Sequence, residues 1–153
     1  MGAFKFPYNA NGTVGLSSDM QKENVVTKIA SGVTTAAATK IGFGQPVIRG
    51  AAPKTIVPYA GTGSVIGITM ARNDIDPVEG FPNGENVPVL NEGQIWVYAS
   101  GDCTAGSAVE YVAATGGFQD ADGGAELEAT HFVFDSDAAA GGVVRLQVQT
   151  RIA

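Results

Sequence analysis

The chain holds a single histidine, His131, and a single cysteine, Cys103. Any Ser-His-Asp or Cys-His arrangement would have to use His131. That residue stands in His131-Phe132-Val133-Phe134, among strand formers, and reads as a structural histidine on a β-strand. Cys103 follows Gly101-Asp102 and precedes Thr104, with no basic neighbour in sequence to lower its pKa, so it is expected to be a small turn residue and not a nucleophile. Zinc needs about four N or S ligands, which one His and one Cys do not supply. No catalytic residue, metal or cofactor is expected.

Three carboxylate pairs space their oxygens as a calcium loop would: Asp74-Ile75-Asp76, Asp120-Ala121-Asp122 and Asp135-Ser136-Asp137. None completes the pattern. A calcium template begun at Asp120 puts Gly124 at the fifth position and His131 where a bidentate Glu is required, so these read as solvated turn aspartates. The same pairs could serve as acid and base of a glycosidase only in a geometry that spacing does not reveal. Gly61-Thr62-Gly63-Ser64-Val65-Ile66-Gly67 lacks the Lys-Ser/Thr ending of a phosphate loop and leads into a strand, which favours a hairpin turn. Asn11-Gly12-Thr13 fits a glycosylation sequon, but the opening MGAFKFPYN has neither the basic segment nor the apolar stretch of a secretory signal. Maturation in the cytoplasm is expected.

Composition says what must hold such residues in place. At 153 residues the chain fits one domain, or one domain with an arm, and a chain of this size buries roughly 70% of its unfolded surface. Gly, at 21 residues, is about twice as frequent as usual, while charged residues at 16% fall well short of the usual quarter. Many turns and few charged helix faces follow. No apolar run reaches the roughly 18 residues of a membrane span. A net charge of −6 without a Lys/Arg cluster argues against direct nucleic-acid binding.

Short apolar runs cut by turn residues dominate the pattern. Strands are expected at 25–31, 46–50, 55–60, 64–71, 87–90, 94–100, 107–114, 126–135 and 143–152, with turns at Asn91-Glu92-Gly93, Gly101-Asp102 and Gly116-Gly117. The stretch from Asn86 to Phe118 thus reads as two β-hairpins. In the last run Val144, Leu146, Val148 and Thr150 alternate with Arg145, Gln147, Gln149 and Arg151, the signature of a half-buried strand. Thr34 to Thr39 has room for one helical turn at most. The expected fold is all-β, a jelly-roll-like sandwich or barrel over residues 25–153, with residues 1–24 as an extended N-terminal arm and 72–85 as a long polar loop. A weak likeness between GDCTAGSAVEYV (101–112) and SDAAAGGVVRLQV (136–148) reads as a recurrent turn-to-strand solution.

The segments KIGFGQPVIRG (40–50), SVIGITMA (64–71), VPVLNEGQIWVYASGDCTAGSAVEYVAATGGF (87–118) and THFVFDSDAAAGGVVRLQV (130–148), taken in this order, resemble the structural cement, or head decoration, proteins of tailed bacteriophages. The likeness covers about residues 25 to 150. It implies a virion protein without catalytic residues, a homo-oligomer (dimer or trimer) on the outside of the capsid that braces adjacent major coat subunits. The arm and the 72–85 loop match that pattern least. Phe4, Phe6 and Tyr8 in the arm are costly to leave in water. They are the candidate contacts with coat protein or a neighbouring subunit, the alternative being a lid folded back on their own domain.

The competing class is a carbohydrate-binding β-sandwich or a phage surface adhesin, with Trp96 and Tyr98 as a stacking platform. These two alternate with Ile95, Val97 and Ala99, so one face of the strand is aromatic. A buried aromatic row is the expectation.

Overall fold

The structure is a computed structural model that describes residues 14–15, 26–30 (backbone), 41–122, 127 and 131–149. Among these residues there is no helix, and nine strands follow in order: β1 (Val26–Ala30), β2 (Pro46–Arg49), β3 (Ile56–Pro58), β4 (Val65–Thr69), β5 (Val87–Tyr98), β6 (Val109–Val112), β7 (Gly117–Asp120), β8 (Phe132–Phe134) and β9 (Val143–Gln149). The chain is all-β, as its turn spacing requires. Seven strands form one antiparallel sheet in the order β3-β2-β4-β5-β9-β8, with β1 pairing on β5, and β6–β7 form a separate hairpin. The expected helical turn at 34–39 lies outside the described residues.

Three local readings are corrected. Asn91-Glu92-Gly93 is not a hairpin turn, because β5 runs through it as one strand of 12 residues. Opposite it, Thr27 pairs with Leu90 and Val26 with Glu92, so Asn91 is an extra residue, a bulge. The bulge inverts the side-chain phase of β5. Val87 and Val89 join a smaller apolar cluster with Ile41, Val47, Ile56, Ile75 and Phe81. Ile95, Val97 and Ala99, also odd-numbered, join the larger one. Leu90, before the bulge, also faces the larger cluster, so the odd-numbered residues of β5 switch from one core to the other at Asn91, which strict alternation forbids.

The second correction concerns 61–64, which joins β3 to β4 on opposite sides of β2 and so makes no hairpin. The third is β7, which begins at Gly117, where a turn was expected to continue; the hairpin closes instead at 113–116. Its inner residues Val109, Tyr111 and Phe118 pack against Phe132, Phe134, Val144, Leu146 and Val148 of the sheet. Burying each Phe or Leu side chain contributes about 1.5–3 kcal/mol. In β9, Val144, Leu146 and Val148 are buried while Gln147 and Gln149 are exposed, the alternation read from the sequence.

The likeness between 101–112 and 136–148 is a structural pseudo-twofold. Cys103 and Ala138 pair in an antiparallel bridge. Gly106 donates its N–H to Phe134 O (2.7 Å) while Gly141 donates to Ala99 O (2.8 Å), and Ser107 and Gly142 each donate at 3.0 Å to Thr104 and Ala139. Every partner pair is related by one constant spacing along the chain. The two turn-to-strand units therefore pair directly with each other, with Cys103 in the larger core and Ala138 packed against it.

Candidate interaction surface

The residues whose chemistry stood out in the sequence are held in structural tasks. Cys103 is 3% exposed, and its Sγ lies 3.5 Å from the carbonyls of Gly101 and Phe118. Burial, and then the nearby Asp120 and Asp102, push its thiol up to about 12, so a thiolate is disfavoured where a nucleophile would need one. His131 sits in the turn before β8, one residue short of the strand that was expected to hold it, and its carbonyl accepts from Gln149 N at 2.9 Å.

The carboxylates tie loops together. Asp120 accepts from Thr104 N on Oδ1 and from Thr104 Oγ1 on Oδ2, both at 2.8 Å. Asp137 Oδ1 accepts from Ala105 N at 2.8 Å. Asp135 Oδ2 accepts from Gln94 Nε2 at 2.7 Å and meets Arg145 Nε at 3.0 Å; that last contact is ionic, not a directed hydrogen bond. Among the described residues no three His, Cys, Asp or Glu side chains gather as a metal site would require.

The aromatic row is not buried as expected. Ile95, Val97 and Ala99 enter the larger core, which turns Trp96 and Tyr98 to the outer face of the sheet, with Trp96 half-buried and Tyr98 38% exposed. The guanidinium of Arg145, opposite Trp96 on β9, lies 6.0 Å from the Trp96 ring centre. Alternation located the aromatic face correctly, but Phe132 and Phe134 of β8 and Val144, Leu146 and Val148 of β9 filled the core side.

Phe4, Phe6 and Tyr8 lie outside the described residues. Of the expected arm, Val14 and Gly15 are described. Gly15 donates to Trp96 O (2.9 Å) and accepts from Ala71 N (2.8 Å), so at this point the N-terminal segment is hydrogen-bonded between the end of β4 and β5. Beside it, buried Thr69 accepts from Gln45 N (3.0 Å) on Oγ1 and donates to Gly42 O (2.6 Å), which fixes the turn leading into β2.

The 72–85 loop, read as polar, is clamped at both ends. The Arg72 guanidinium forks onto Asp74 (Nε to Oδ1 3.0 Å), and its Nη1 donates to Glu85 Oε1 (3.0 Å) and Asn86 O (2.7 Å). These bonds, with Glu85 contributing most and Asp74 next, raise the Arg72 pKa. Inside the loop Ile75 and Phe81 are buried in the smaller cluster, and Phe43 meets Phe81 edge-on at 5.4 Å. The tip stays out, with Val78 89% exposed. The polar composition of 72–85 marks a loop in the sequence, but nothing there distinguishes the exposed Val78 from the buried Ile75 and Phe81.

No curated protein matches the chain. A family model described as "Structural cement protein (E217 gp24/Pam3 gp6)" matches residues 5–149, nearly the whole length and the whole of the sheet and hairpin. The chain belongs to the phage structural cement protein family, and its role in the virion is structural.

Proposed function

We infer that the protein is a non-enzymatic cement protein that binds the outer surface of a phage capsid and braces adjacent major coat subunits. The observation that carries this reading is the family match over residues 5–149. The geometry is consistent with it. A bracing protein has to add interface area between subunits that already touch, and loops, sheet faces and extended segments supply such area. The buried Cys103 and the loop-bound carboxylates leave the surface with contacts to make and no assembled reactive centre among the described residues. A homo-oligomer, dimer or trimer, contacts the coat protein through Phe4, Phe6 and Tyr8 among others. With a net charge of −6 it avoids the packaged genome.

The test is addition of the purified protein to capsids that lack it. Saturable co-sedimentation, extra density on the outer surface in a reconstruction, and a higher capsid melting temperature are expected. Capsids that neither bind the protein nor gain stability would overturn the reading.

The carbohydrate-binding alternative gains from Tyr98, whose ring reaches the surface. It loses more from Arg145, whose guanidinium already lies over the Trp96 ring that a sugar would need.

A further inference from the structure

We propose that the tip of the 72–85 loop is a preformed knob, with Val78 at its apex, that seats in an apolar pocket rimmed by basic side chains on the coat protein; this rests on the cement reading above. Val78, at 89%, is the most exposed large apolar residue among those described, where Tyr98 at 38% is the other exposed one. Burial is not what keeps a valine there, since a polar residue would serve the fold equally well. The apex is also held in one shape. Asp76 Oδ1 accepts from Val78 N at 2.8 Å, and Gly80 N donates to Asp76 O at 2.8 Å. Pro77 fixes one backbone torsion between them. Immediately after the tip, Phe81 is fully buried and its N–H donates to Ile41 O at 2.7 Å. At the base, Arg72 locks Asp74, Glu85 and the Asn86 carbonyl together. A rigid apex loses little conformational freedom when it docks, which is what a small apolar contact needs to be effective.

Charge identifies the occupant. From Arg72 to Glu85 the loop carries Asp74, Asp76, Glu79 and Glu85 against Arg72 alone, a net charge of −3 around the valine. A complementary site is apolar at its centre and lysine- or arginine-bearing at its rim, on a protein and not on a polyanion or an anionic membrane.

The experiment titrates capsids lacking the protein with wild type, Val78→Ser and Val78→Asp, at low and at high salt, with melting temperatures as a folding control. The expected results are unchanged melting, binding weakened about tenfold by Val78→Ser and further by Val78→Asp, and wild-type binding that falls as salt rises. Wild type that binds capsids with Val78→Ser its equal overturns the knob while leaving the cement reading intact. Wild type that fails to bind at all overturns both.

Discussion

Cys103 and Ala138 face each other across an antiparallel bridge in which each amide donates to the other's carbonyl, at 2.9 and 3.0 Å. They occupy equivalent positions in the two turn-to-strand units, and the pairs Gly106–Phe134 and Gly141–Ala99 extend the same local twofold.

The pseudo-symmetry predicts equal costs. Gly106 and Gly141 both hold left-handed backbone, at φ 84° and 88°, and a methyl group added at either meets nothing within 4 Å. Gly106→Ala and Gly141→Ala should therefore each lose about 1–2 kcal/mol from backbone strain alone, and by the same amount within about 0.5 kcal/mol. Denaturant titration of the two variants checks this. A cost at one position and none at the other would show the resemblance to be superficial.

Alkaline stability should follow the buried thiol. Folding raises the Cys103 pKa from 9.0 to about 12, so the folded state keeps its proton where the unfolded chain has lost it. Stability is then full below pH 9 and falls as pH rises from 9 toward about 12, by about 1.4 kcal/mol per unit for one group. Tyr111, raised from 10.0 to about 12 by burial, adds a loss of the same sign. In a comparison of wild type with Cys103→Ala the tyrosine contribution cancels. The wild-type advantage should shrink steadily above pH 9, and parallel stability curves would refute the assignment.

The strand positions were readable because turn residues and alternation report local geometry, as in β9, where Val144, Leu146 and Val148 point inward. Long-range partners were not. Asn91-Glu92-Gly93 has the composition of a turn, and what keeps β5 straight through it is pairing with β1, β4 and β9, none of it local. Alternation puts Trp96 and Tyr98 on one face of β5 but does not say which face is inward, and Phe132, Phe134 and Leu146 occupy the inner side. The expectation of no catalytic residue rested on residue counts, since one His and one Cys limit the chemistry open to the chain. The Arg72 clamp joins residues 13 apart and leaves no periodic trace.

Thr69 should be sensitive to loss of its hydroxyl and not of its methyl. It is fully buried, and its Oγ1 serves both Gly42 O and Gln45 N. Thr69→Val keeps the shape and orphans both backbone groups, for an expected loss of about 1–3 kcal/mol. Thr69→Ser keeps both bonds and should lose less. Equal losses in thermal or chemical unfolding would mean that packing dominates.

Two changes in the N-terminal segment should separate anchoring from capsid contact. Gly15 holds a φ of +86°, and a Cβ there would lie 2.9 Å from both Ala71 N and Phe43 Cβ. Gly15→Ala should thus destabilise the domain by roughly 1–3 kcal/mol, since strained backbone and a tight contact act together. Deleting residues 1–10 leaves the Gly15 bonds to Trp96 and Ala71 in place. If Phe4, Phe6 and Tyr8 dock on coat protein or a neighbouring subunit, the deletion weakens capsid binding and hardly changes the melting temperature. If they cover their own domain, the truncated protein melts much earlier yet still decorates capsids, and the proposal that the arm makes contacts in trans is wrong.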